Sequence, residues 1–130
     1  MTIQESLFSR ATSHSGLSDL IGTRFYPQGE VPDDPTTPFC AYQLVSTPPH
    51  NYQDHEGKPN RWRYRVQIDC YAKSRDDANS LGRQAFDCFE GWSTDDGDVG
   101  WSRVQNWFDG DRLELDLKRD IVEINVDHTV

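Results

Sequence analysis

In the stretch Arg61-Trp62-Arg63-Tyr64-Arg65-Val66-Gln67-Ile68-Asp69-Cys70-Tyr71-Ala72-Lys73, two sets of residues alternate strictly. Trp62, Tyr64, Val66, Ile68, Cys70 and Ala72 fall in one phase, and Arg61, Arg63, Arg65, Gln67, Asp69 and Tyr71 in the other. Side chains two apart on an extended chain share a face, so this segment predicts a long strand. Its first face belongs to a core and its second to water or to a partner.

Working outward, Ser74-x-x-Asp77 has the spacing of a capping box, and the helix behind it gathers Ala78, Leu81, Ala85, Cys88 and Phe89 on one stripe despite Gly82. On the other side, Thr47 to Asn60 carries Pro48, Pro49, Gly57 and Pro59 and reads as a loop or hairpin tip. Before it, Phe39 to Ser46 has apolar residues in both phases, as a strand covered on both sides should. Gln28 to Pro38, with Pro32, Pro35 and Pro38, reads as an irregular connection, and Arg24 to Pro27 as a short extended piece. At the N-terminal end, Thr2-x-x-Glu5 is another capping box, followed by Ile3, Leu7, Phe8 and Ala11 on one helical face. Leu17, Leu20 and Ile21 add one further turn that ends at Gly22.

Towards the C-terminus, Ser93 to Gly100 is an acidic turn, and Trp101 to Phe108 and Arg119 to Asp127 are two more strands. Leu113, Leu115 and Leu117 fit either a strand or a partly buried connection. The order predicts one domain over residues 1–130 with an α+β fold, a mainly antiparallel sheet of about four strands packed against two helices.

The chain has 130 residues, is only 35% hydrophobic and has a mean hydropathy of −0.81. Its core therefore leans on fifteen aromatic residues. Thirteen Lys and Arg against twenty-two Asp and Glu give a net charge of −9, which argues against general affinity for nucleic acid or anionic membrane. No signal-peptide pattern follows Met1, and no stretch approaches the ~20 apolar residues of a membrane-spanning helix. Cys40, Cys70 and Cys88 are odd in number and widely spaced, which predicts buried free thiols in a reducing compartment.

Catalytic and metal signatures are weak. His50 and His55 share a loop with Asp54 and Glu56, but no HExxH or Cys/His spacing organises them. His14 and His128 lie near opposite ends of the sequence, and all four histidines read as solvated loop residues. Asp95-Asp96-Gly97-Asp98 fails as a calcium loop, because Gly97 and Val99 stand where oxygen ligands are needed and Asn106 stands where a glutamate is needed. Cys70 is the most tempting nucleophile, yet its phase points it into the core. No cofactor is expected. Two features stand above this background. One is the stripe Arg61, Arg63, Arg65, either a hydrated strand face or a subunit contact. The other is the group Trp92, Trp101 and Trp107, either core edges or interface anchors.

Three segments together resemble the tail-completion family of long-tailed bacteriophages, also called tail terminators or head–tail joining proteins. They are Leu20-Ile-Gly-Thr-Arg-Phe-Tyr-Pro27, Pro38-Phe-Cys-Ala-Tyr42, and Arg65-Val-Gln-Ile-Asp-Cys-Tyr-Ala-Lys73 before a capped helix. The likeness spans residues 3 to about 90, and Arg119 to Val126 fits the family's closing strand. It implies a virion subunit, made in the host bacterial cytoplasm, that assembles with copies of itself into a ring, usually six-fold. Such a ring caps the tube of major tail tube protein and docks to the head–tail connector. DNA passes through its channel without specific binding, and neither enzymatic activity nor a cofactor is implied. Joined to the charge pattern, the resemblance makes Arg61, Arg63 and Arg65 candidates to meet Asp95, Asp96 and Asp98 of a neighbouring copy. Other readings are a different neck or head-closure connector subunit, a non-viral acidic module that binds proteins, and an enzyme whose site leaves no motif.

Overall fold

A computed structural model describes residues 1–46, 61–110 and 116–129. Helix α1 (Ile3–Ser13) starts at Thr2, whose hydroxyl accepts from the Glu5 amide at 3.1 Å while the Glu5 carboxylate accepts from the Thr2 amide at 2.9 Å. The reciprocal bonds satisfy two amides that a helix start leaves orphaned. Helix α2 (Ser15–Ile21) is capped by the His14 imidazole, which accepts from the Leu17 amide at 3.2 Å, and ends at Gly22 with φ of 60°. A left-handed φ of that kind favours glycine. Strand β1 (Phe25–Pro27) follows at once.

Strands β2 (Phe39–Ser46) and β3 (Arg61–Ala72) pair antiparallel, and helix α3 (Arg75–Phe89) begins behind the Ser74 cap. Strands β4 (Val99–Asp109) and β5 (Lys118–Thr129) complete a sheet of order β1-β2-β3-β5-β4. Among the described residues the sheet therefore has five strands, not about four, and it is mixed, because β1 runs parallel to β2. Three residues are too few for alternation to announce a strand. What holds β1 there is a connection: the Cys40 amide donates to Arg24 O at 3.0 Å, and the Arg24 guanidinium to Pro38 O at 2.9 Å. Among the described residues there are three helices rather than two, since the predicted extra turn at Leu17 is a separate capped helix.

The helices cover one face of the sheet. Leu7, Leu17, Ile21, Leu81, Ala85 and Phe89 pack there on Cys40, Tyr42, Val66, Ile68, Cys70 and Ile124, all buried. Helix α3 approaches closely at Gly82, where a Cβ would sit 2.7 Å from Trp107 Nε1 and 2.8 Å from Asp120 Oδ2. That approach explains a glycine inside an otherwise good helix. Phe8, expected on the buried stripe of α1, is instead 42% exposed.

The opposite face is the main departure from expectation. Asp69 and Tyr71, in the outward phase of β3, are buried, because residues 28–38 fold back over this half of the sheet. Tyr71 stacks on Phe39 with ring centroids 4.9 Å apart. Asp69 accepts from Gln28 Nε2 at 2.9 Å, Gln67 Nε2 at 2.9 Å and Arg119 at 3.3 Å. A buried carboxylate is tolerated when partnered this way. Leu117 joins this second cluster as a partly buried residue, whereas Leu113 and Leu115 lie outside the described residues.

Candidate subunit interface

The three stripe arginines occupy the N-terminal end of β3, on the face turned away from the helices, and they are not equivalent. Arg61 is held within its own chain. Its Nε donates to Asp127 Oδ1 at 2.7 Å, and another nitrogen donates to Gly97 O at 3.1 Å. Arg63 is exposed and lies over the Trp101 ring at 5.4 Å, within range of a cation–π contact. Arg65 has a side chain 54% exposed and a loose 3.8 Å approach to Glu123. Surface pairs of that length contribute little. The registers Arg65↔Asn125 and Arg103↔Asn125 bring Arg103 into the same row, two strands away. The sequence reading missed Arg103; its only signal was a position two residues from Trp101 on a predicted strand.

The acidic turn is largely committed at home. Asp96 accepts from the Thr94 hydroxyl at 2.7 Å and the Asp98 amide at 3.0 Å, and those two bonds hold its pKa below the ordinary value. Asp98 accepts from the Met1 amino group at 3.2 Å and the Thr129 hydroxyl at 3.3 Å. Asp95 is exposed at the turn. Inside one chain, then, the turn already meets the stripe through Arg61 and the Gly97 carbonyl.

The tryptophans divide between core and surface. Trp92 is buried against Phe89 at 5.7 Å, and Trp107 donates from its indole N–H to Asp120 at 2.9 Å. Trp101 is half-buried beside Arg63. Asp120 is fully buried with the Arg75 guanidinium 2.5 Å away, and its pKa is raised chiefly by that burial.

The groups that suggest chemistry are built into the structure. His128 is not a solvated loop residue: it is buried on β5, 3.0 Å from the Ser6 hydroxyl and 2.8 Å from Thr129 O. Burial of both side chains makes this pair a joint between α1 and β5. His14 serves as the α2 cap, and His50 and His55 lie outside the described residues. Among the described residues, no three His, Cys, Asp or Glu side chains could hold a metal ion, and no helix is long and apolar enough to cross a membrane.

All three cysteines are free and buried. The Cys70 thiol is pushed well up by its contact with Cys40, whose sulfur is 3.8 Å away, and then by burial. Burial pushes Cys88 up to about 12. Since the thiolate is the reactive form, a thiol reagent should label neither residue in the folded protein and both in denaturant. Fast labelling of native Cys70 or Cys88, read by intact mass, would contradict this packing.

The sequence profile of the tail completion protein gp17 family matches residues 5–126. The chain belongs to this family. Its members are structural proteins of bacteriophage tails, so the protein is a virion-associated tail component. Comparison with curated proteins gives no match. Among solved structures, a chain from "Virion of native gene transfer agent (GTA) particle" is similar, with a TM-score of 0.71 at 15% identity over 98% of this chain and 95% of that one. At that identity the likeness concerns the fold, which the tail completion chain shares almost end to end.

Proposed function

We propose that this tail completion protein is a tail terminator subunit: copies close into a ring, six in number, that caps the finished tail tube and docks it to the head connector. The observation that carries the reading is the family match across residues 5–126. The alternative within the same class is a head-closure or other neck subunit, which the same fold would serve. DNA crosses the channel without specific binding, consistent with a chain of net charge −9. The subunits are made in the host cytoplasm and assemble there with tube and connector proteins.

Six such chains gather six times that negative charge, so closure needs local complementarity. Arg63 and Arg65 supply the basic side of the contact. Arg61 acts within its own subunit, holding Asp127 and the acidic turn. Of the three turn aspartates, Asp95 is the one whose carboxylate has no partner among the described residues, so it is the counter-charge the sequence pattern leaves available; Asp96 and Asp98 shape the turn. Native mass measurement with electron microscopy of the purified chain, alone and with tail tubes, tests the reading. Closed six-fold rings at tube ends are expected. Arg63→Glu with Arg65→Glu should lower ring yield at least tenfold while leaving the melting temperature unchanged. A chain that remains monomeric at every concentration and on tubes sinks the proposal.

A further inference from the structure

Strand β2 has a neighbour on each side, and its backbone bonds divide between them residue by residue. The Cys40 amide donates to Arg24 O at 3.0 Å, and Tyr42 O accepts from the Gln28 amide at 2.8 Å, both on the β1 side. Within a strand the N–H and C=O of one residue point to the same edge, so Cys40 turns both of its groups away from β3. Yet Cys40 stands directly opposite Cys70 in the antiparallel register of β2 and β3. The two cysteines are therefore a non-hydrogen-bonded pair, the kind whose Cα atoms approach to about 4.5 Å and whose side chains come closest.

The side chains agree with the backbone. Both sulfurs lie in the core cluster beneath the helices, 3.8 Å apart and unbonded, although the residues are 30 positions apart in sequence. A disulfide needs Cα atoms about 4.4–6.8 Å apart, a range that includes such a pair, so rotation about the side-chain bonds closes the remaining gap. Cys88 shares the cluster but stands on α3, with its sulfur 3.7 Å from Arg10 O. The two paired thiols differ in access. Cys70 lies on β3, between β2 and β5, whereas Cys40 lies beside the three-residue edge strand β1, on a strand that the seven-residue α2 packs against. Short elements at a margin owe their stability to packing and open locally before the whole fold does.

We propose that Cys40 and Cys70 form an oxidation site, a latent cross-strand disulfide that ties the β1–β2 margin to the centre of the sheet when the protein meets a low-molecular-weight disulfide such as oxidised glutathione. Opening of the margin exposes Cys40, whose thiolate attacks one glutathione sulfur. The other glutathione leaves as a thiolate and takes up the proton that Cys40 gave to solvent. Cys70, as its thiolate, then attacks the Cys40 sulfur of the mixed disulfide, and the second glutathione leaves and is protonated in the same way. Two protein thiols become one disulfide, and one oxidised glutathione becomes two reduced ones. In the closed fold Cys70 is held in the thiol form by its contact with Cys40 and by burial, so the bond forms only as fast as the margin opens. A reducing cytoplasm keeps such a pair as thiols, and a virion component carried out of the cell meets an oxidising medium. The bond lies within one chain, so the inference is independent of the ring reading.

The test incubates the reduced full chain with oxidised glutathione under native conditions, quenches in acid, alkylates the remaining thiols in denaturant, and reads intact mass and tryptic peptides. The expected product has lost two hydrogens, carries alkylation on Cys88 alone, and yields the peptides of Cys40 and Cys70 joined to each other. Its urea midpoint should rise by roughly 1 M and return to the parent value after dithiothreitol. Three variants assign the order of attack: C70A should stop at glutathione on Cys40, C40A should leave Cys70 unmodified, and C88A should oxidise as the parent does. The wild-type peptide map decides the matter by itself, so a variant that fails to fold leaves the test intact. Folded protein that stays fully reduced while the denatured chain oxidises would overturn the inference. So would a bond to Cys88, a bond between chains, or glutathione retained on wild-type Cys40. An oxidised form whose midpoint is unchanged or lower would overturn the tie between margin and sheet.

Discussion

Replacing Ile68 with aspartate should destabilise the protein by several kcal/mol, on the order of 3 or more. Ile68 is fully buried, in register with Tyr42 on one side and Val122 on the other, beneath α3. A carboxylate there loses the apolar burial and must either sit unpaired in the core or take up a proton, a cost on the order of 3 kcal/mol or more. Total stability for a domain of this size is only about 5–15 kcal/mol, so the loss removes a large part of it. The urea midpoint should fall steeply. A midpoint within error of the parent would mean that the strand phase is wrong. The contrast is Arg63→Asp, on the same strand but exposed, which should change stability by less than about 1 kcal/mol in the isolated subunit.

The second large effect is expected at Asp69. Its carboxylate, 1% exposed, ties Gln67 on its own strand face to two residues that no periodicity connects with it, Gln28 from the proline-containing connection and Arg119 from β5. Asp69→Ala strips the largely buried Arg119 guanidinium of this carboxylate and releases the Gln28 tether. Removing one member of a buried pair typically costs about 3–5 kcal/mol, and a value on the order of 3 is expected here. The connection should also be cut sooner by protease, because the polar clamp beneath it is gone. If Asp69→Ala unfolds within about 1 kcal/mol of the parent and resists protease equally, the clamp contributes little.

The sequence by itself determined the long strand β3 and its phase, the stripe of α3, the capped start of α1 and the burial of the three thiols. These are local matters. Period 2 and period 3.6 are written into consecutive residues, and a cap needs only a hydroxyl at the right spacing. Enough of that local pattern survives, from Leu20 to Lys73, for the family itself to be legible. Tertiary structure alone decided what covers the outward face of β3. Alternation placed Arg61, Arg65, Asp69 and Tyr71 in one phase, but it cannot say that Tyr71 lies under residues 28–38, that Asp69 meets Arg119, or that Arg61 is taken by Asp127. Nor could it bring Arg103 beside Arg65, or add β1 to the sheet. Each of these depends on partners 14 to 66 positions away, or on segments with no period. A strand's phase is fixed by its own residues, whereas its cover is fixed by whichever distant chain satisfies the polar groups left there.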